Sequence, residues 1–263
     1  MKFRLRSFTT SGTYTPTDDV ASFLAMVYGA DPGGLVSYIN TSPGTGGAGY
    51  SEKYYSNPTG SYTVTIGAKG TVSASPTAGG TTSFDTMSVV SANPTTNSTA
   101  GTAGGTASGG DVNFSGGSGG NGSSTTGGSG GSGGHAGRSG PGGNGSSGSG
   151  ATLGAGGGTG GNNASGGTPG IAATTLYAGV RPFPSGVELA IAFNSGGPTT
   201  TGANGAEHVQ STYPIGTPCI SGLNAPYVPI FDTGAPEYLI GRGKVNSTSN
   251  PANGLVQVME WLK

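Results

Sequence analysis

Gly127-Gly128-Ser129-Gly130-Gly131-Ser132-Gly133-Gly134-His135-Ala136-Gly137-Arg138 opens a frame of Gly-Gly-X triplets that continues through Gly142-Gly143-Asn144 and Gly160-Gly161-Asn162 to Thr168. Over these 42 residues glycine holds the first triplet position in ten of fourteen cases and the second in nine. The third position carries the variety: Ser129, Ser132, His135, Arg138, Pro141, Asn144, Leu153, Asn162. A period of three matches neither the α-helix, near 3.6, nor the strand, at 2, and is the repeat of the polyproline II helix. Collagen shares the period but needs one axial glycine per triplet and many prolines, whereas this frame holds Pro141 with Pro169 just beyond it. Two bare faces per helix allow close approach to several neighbours, with backbone N–H and C=O groups pairing between helices. The competing reading is a flexible Gly/Ser linker. Ordering glycine is costly, and a linker has no need of a frame. The frame therefore points to an ordered polyglycine II bundle.

Composition narrows the rest. Gly 57 and Pro 17 in 263 residues mark a special glycine architecture or low complexity. Charged residues make up 8% and the net charge is -1, so there is no basic field for nucleic acid or an anionic membrane. The longest apolar run, Phe23 to Tyr28, is too short to span a bilayer. Met1 to Phe8 alternates Phe, Arg, Leu and Arg without a signal-peptide core, so no signal peptide and a cytoplasmic site of synthesis are expected. Cys219 is the sole cysteine, which excludes an intrachain disulfide or a thiolate metal site.

Apolar alternation is concentrated at the chain ends. Phe3 to Phe8, Phe23 to Tyr28, Tyr62 to Ile66, Val187 to Phe193 and Leu255 to Trp261 read as strands. From Gly67 to Thr168 large apolar residues are scattered singly. The expected fold is all-β and irregular: a small β-rich base from residues 1–66 and 171–263, with residues 67–170 forming a glycine-rich polyglycine II bundle.

Four ordered stretches carry a family resemblance: Phe8-Thr9-Thr10-Ser11-Gly12-Thr13-Tyr14-Thr15-Pro16, Tyr28-Gly29-Ala30, Gly60-Ser61-Tyr62-Thr63-Val64-Thr65-Ile66-Gly67-Ala68 and Asn253-Gly254-Leu255-Val256-Gln257-Val258. Together they resemble the glycine-rich domain of bacteriophage tail and tail-fibre proteins, over nearly the whole chain. The Gly-Gly-X frame is similar to that of tail-fibre tip adhesins, in which polyglycine II helices pack together and variable loops at the tip touch the host receptor. Where that family runs glycine after Ile66-Gly67-Ala68, this chain has Lys69 and then Thr71 to Pro76.

Motifs that look catalytic dissolve on inspection. Gly-x-Ser-x-Gly occurs at Gly116 to Gly120, Gly127 to Gly131 and Gly130 to Gly134, three copies without the strand-turn-helix setting that a nucleophile elbow requires. Gly156, Gly158 and Gly161 match the dinucleotide fingerprint with no apolar strand before them. His135 and His208 are the only histidines, and no carboxylate pair stands out for glycoside cleavage. Neither an enzyme nor a cofactor is expected.

Large contact groups are the remaining candidates. Tyr50, Tyr54 and Tyr55 lie in what reads as a loop with Glu52 and Lys53, positioned to bind or to pack over the base. His135 and Arg138 are the bulkiest groups of the decorated triplet face, and Tyr213 and Tyr227 sit in a proline-punctuated stretch. The resemblance implies a tail-fibre tip adhesin assembled into the virion in the host cytoplasm. Its partners would be a bacterial surface receptor, either outer-membrane protein or glycan, and other tail-fibre proteins. A structural virion component, fibre spacer or decoration protein, is the alternative.

Overall fold

The computed structural model describes residues 2–34, 43–94, 99–122, 130–137, 140–148, 191–192, 219–220 and 253–263. These residues form antiparallel sheets and no helix. The first sheet orders its strands β1 (Lys2–Phe8), β12 (Leu255–Leu262), β3 (Val20–Tyr28), β4 (Tyr50–Ser56) and β9 (Val112–Phe114). The second orders β2 (Gly12–Tyr14), β5 (Tyr62–Thr65), β6 (Thr82–Phe84), β7 (Met87–Val90) and β8 (Thr106–Ser108). A separate two-stranded ladder pairs β10 (Ile191–Ala192) with β11 (Cys219–Ile220).

The chain ends meet in one sheet. β12 runs between β1 and β3, with Leu5 opposite Met259 and Leu24 opposite Met259 on the other side. The chain passes between the sheets at both edges, from β1 to β2 and from β8 to β9. The second corner is tight: Gly109 takes φ 79, and a Cβ there would meet the Thr86 carbonyl at 2.0 Å. Each outer strand is thus joined covalently to the facing sheet, which limits exposed edges.

Pleating divides the apolar residues. Phe23, Ala25, Val27, Val256 and Val258 face inward and meet Tyr14, Val64, Phe84, Met87 and Val89 of the second sheet. Within this core the Phe23 ring stacks on Tyr55 at 4.6 Å and meets Tyr14 edge-on at 5.1 Å, while Tyr62 stacks on Phe84 at 5.6 Å. Such pairs contribute about 0.5–1.5 kcal/mol each beyond area burial. The opposite face of the first sheet gathers Leu24, Met26, Tyr28, Tyr50, Leu255, Met259 and Trp261 into a second cluster. With both faces occupied, β3 and β12 are buried almost throughout, which is why they read as continuous apolar runs.

One carboxylate is buried in the first core's rim. Glu260 is 0% exposed, pairs with the Arg4 guanidinium, accepts from Arg6 Nε at 2.9 Å and accepts from the Tyr14 hydroxyl at 2.8 Å. Burial first, and then the hydrogen bond to Glu260, pushes the Tyr14 phenol far above its ordinary value. Glu260→Ala removes the acceptor shared by three donors. An equilibrium urea titration should show a loss of about 2–3 kcal/mol, less than for a wholly buried pair because both arginines reach solvent.

Four strands of this fold fall where no regular patterning was expected. β6, β7, β8 and β9 lie between residues 82 and 114, inside the stretch assigned by sequence to the glycine-rich excursion. Their outward positions are mostly polar, Ser83, Ser88, Thr106, Ser108 and Asn113, so single inward residues such as Phe84, Met87, Val89 and Val112 carry the burial. Strands of three or four residues give period two too few repeats to register.

Candidate functional site

Glycine-rich segments leave one end of the two sheets. Tyr28, Tyr50, Phe114 and Leu255 are register partners at that end of the first sheet, and Val90 and Thr106 at that of the second. Beyond them run 29–34, 43–49, 99–105 and 115–122, and the segments 130–137 and 140–148 join these by hydrogen bonds.

The pairing repeats every three residues. In segment 115–122, Gly116, Gly119 and Gly122 donate to the carbonyls of Gly105, Thr102 and Thr99. Gly117 and Gly120 donate to Gly134 and Gly131. The carbonyls of Gly117 and Gly120 accept from Gly47 and Gly44, while those of Ser115, Ser118 and Asn121 accept from Gly142, Gly145 and Gly148. Segment 115–122 therefore touches four neighbours, two antiparallel partners by its donors and two further segments by its acceptors. Two further donors find side chains: Ser118 N–H meets Asn144 Oδ1 at 2.8 Å, and Asn121 N–H meets Ser147 Oγ at 3.2 Å. Likewise Gly101 N–H meets Asn121 Oδ1 at 2.9 Å and Gly46 N–H meets Thr102 Oγ1 at 2.9 Å. These acceptors satisfy backbone groups that would otherwise be left without partners.

The glycines are required by contact distance. A Cβ on Gly117 would lie 1.8 Å from the Gly143 carbonyl oxygen, and one on Gly120 would lie 2.0 Å from that of Ser146. Neither neighbour can yield, because each is backbone held by its own hydrogen bonds.

Those of the residues singled out from sequence that are described do not converge. Tyr50, Tyr54 and Tyr55 stand on strand β4 and not in a loop. Tyr50 is 0% exposed and its hydroxyl donates to Glu52 Oε2 at 2.7 Å, so it offers nothing at the surface. Tyr54 meets Trp261 edge-on at 6.0 Å, whereas Tyr55 faces the opposite side of the sheet, stacked on Phe23 and donating to Asp85 Oδ2 at 3.0 Å. Burial, followed by the bond to Asp85, pushes the Tyr55 phenol well up. Alternation along the strand separates the pair, and the sequence reading of three tyrosines in one contact loop is corrected.

His135 is also corrected. It is 6% exposed, its Nδ1 accepts from the Ala48 N–H at 2.8 Å, and the Asp31 carboxylate lies 3.9 Å away. Burial pushes its pKa down to about 4. The neighbouring Ala136 belongs to the buried cluster that holds Tyr28, Tyr50 and Leu255, so this part of the frame meets the strand ends. Ser132, another third-position residue, is 0% exposed beside Thr45. A rod enclosed by neighbours has no solvated face. Arg138, Tyr213 and Tyr227 lie outside the described residues.

Away from the sheets the described parts of three segments lie side by side. There Gly122 N–H meets the Thr99 carbonyl and Gly148 N–H the Asn121 carbonyl, with Thr99, Asn121 and Ser147 exposed. Sequence reasoning passed over these three; asparagine or serine closing a glycine triplet was the available signal for Asn121 and Ser147, and Thr99 carried none. Among the described residues no group of three or more His, Cys, Asp or Glu is placed to hold a metal, and no helix is long and apolar enough to cross a membrane.

The chain matches no protein-family model and no curated protein.

Proposed function

We propose that this protein is a receptor-binding adhesin of a bacteriophage tail fibre, whose glycine segments are polyglycine II helices mounted on the two-sheet body. The observation that carries the reading is the arrangement of the segments: they leave one end of the sheets and lock to one another every three residues, with Thr99, Asn121 and Ser147 exposed at the part of the described segments farthest from the sheets. At about 3.1 Å per residue, an eight-residue helix holds that end some 25 Å from the sheets. Rigid support of a small polar end face is what a binding tip requires, and loops on a rigid scaffold are a common place for recognition. The function is non-enzymatic. Its partners are a bacterial surface receptor, protein or glycan, at the far end, and other tail-fibre proteins elsewhere.

A structural reading, as a fibre spacer or decoration protein, draws on a specific observation: His135 and Tyr50, large groups that contact would use, are buried in packing. Titration of labelled protein on whole host cells separates the two. An adhesin binds saturably and a spacer does not. With Thr99→Arg and Ser147→Arg together, bulk and charge enter at two exposed positions that are small and neutral. Cell binding should fall at least tenfold while the melting temperature stays within about 2 °C of the parent protein, as surface substitutions usually do. Unchanged binding by the double variant would move the contact away from this end.

A further inference from the structure

We propose that His135 is an acid-released latch that fastens the glycine segments to the end of the two-sheet body. Three observations at one place support this. Both backbone groups of Ala48 are committed to segment 130–137: its N–H donates to His135 Nδ1 at 2.8 Å and its carbonyl accepts from Ala136 N–H at 2.9 Å. Ala48 lies one residue from Gly49, whose carbonyl accepts from Gly29, so the latch closes where segments 29–34 and 43–49 leave the first sheet. Ala136 in turn belongs to the same buried apolar cluster as Tyr28, Tyr50 and Leu255 at the strand ends.

The chemistry makes this joint conditional. An Nδ1 that accepts a hydrogen bond carries no proton, so the latch requires neutral imidazole with its proton on Nε2. Protonation turns Nδ1 into a donor aimed at another donor, the Ala48 N–H. It also places a charge where almost no solvent reaches, since the side chain is 7% exposed. The charged group that faces the ring is Asp31, 3.9 Å from Nδ1 and itself 1% exposed. Glu52, on β4, is engaged by the Tyr50 hydroxyl. Asp31 eases the charge on an imidazolium, yet it cannot replace the lost acceptor for Ala48.

The sign follows from burial holding the closed-state pKa below the ordinary value. The open state takes up a proton as pH falls through 6.5, while the closed state resists until about 4. The latch is therefore at full strength above pH 6.5 and is lost as pH falls toward 4. Over that window the opening equilibrium should rise roughly tenfold per pH unit, about 300-fold in all.

The test uses the full chain labelled with 15N. Imidazole nitrogen shifts of His135 and amide protection factors at Ala48 and Ala136, corrected for intrinsic exchange, are followed from pH 7 to pH 4. Expected are a His135 titration near pH 4 and a progressive loss of protection at Ala48 and Ala136. In His135→Asn, whose side-chain oxygen keeps an acceptor that does not titrate in this range, protection should stay flat. A His135 titration near 6.5 with Ala48 protection unchanged would overturn the latch, as would the same acid loss in His135→Asn. Should that variant fail to fold, the wild-type titration decides alone, because the two pKa outcomes are mutually exclusive.

Discussion

Gly117→Val is expected to abolish the order of the glycine segments while leaving the two sheets assembled. Gly117 sits in segment 115–122, where its N–H donates to Gly134 and its carbonyl accepts from Gly47. Its missing Cβ faces the Gly143 carbonyl oxygen, 1.8 Å from where a first side-chain carbon would sit. Relief requires displacing segment 140–148, which breaks the bonds from Gly142, Gly145 and Gly148 to segment 115–122. Losing several hydrogen bonds and a close-packed backbone contact together costs on the order of 4 kcal/mol or more. Amide exchange should then show protection lost across 115–122, 130–137 and 140–148, with the strands of the first sheet still protected. The matched control is Asn121→Ala, an exposed position where one acceptor for Gly101 N–H is removed. It should cost about 1 kcal/mol. Equal sensitivity at Gly117 and Asn121 would rule out the close-packed arrangement.

Deleting residues 255–263 should leave no cooperatively folded protein. Those residues are β12 and Lys263, and β12 pairs along its length with β1 on one side and β3 on the other. Removal strips Val256 and Val258 from one core and Leu255, Met259 and Trp261 from the other. It also takes Glu260 from Arg4, Arg6 and Tyr14. Each large buried side chain contributes about 1.5–3 kcal/mol of burial, so these five together lose about 7.5–15 kcal/mol, as much as the usual 5–15 kcal/mol stability of a domain. Calorimetry of the truncated chain should show no unfolding transition, and the protein should be insoluble. A soluble truncation with a sharp melt would contradict the central place of β12.

Strands with enough alternation were legible in the sequence. Phe3 to Phe8, Phe23 to Tyr28, Tyr62 to Ile66 and Leu255 to Trp261 correspond to β1, β3, β5 and β12. Of the expected strand from Val187 to Phe193, Ile191 and Ala192 are described, paired with Cys219 and Ile220. β4 was missed because Glu52 and Lys53 interrupt its apolar pattern; Glu52 is nevertheless 0% exposed, made tolerable by the Tyr50 hydroxyl. The triplet frame gave the spacing of glycine but not the number of neighbours. From one rod the third positions look solvated, whereas with rods on several sides Ser132 and His135 are enclosed. Segments 43–49 and 99–105 take part with only seven residues each, too short for a frame to show. Residues 149–168 of the frame lie outside the described residues.

The division of donors in segment 115–122 among separate neighbours has a consequence for how such a protein can vary. One residue inserted after Gly117 would hand every later N–H to the wrong partner: the donor meant for Thr102 would be offered toward Gly131, and the donor meant for Gly131 toward the Ser147 side chain. An insertion of three restores the assignment. Length in these segments is therefore quantised, and the far end can be advanced or withdrawn only in steps of one triplet, taken by adjoining segments together. Single-residue gain or loss is confined to the connections beyond the paired stretches, so the part of the chain free to drift in length is the part that does not bear the register.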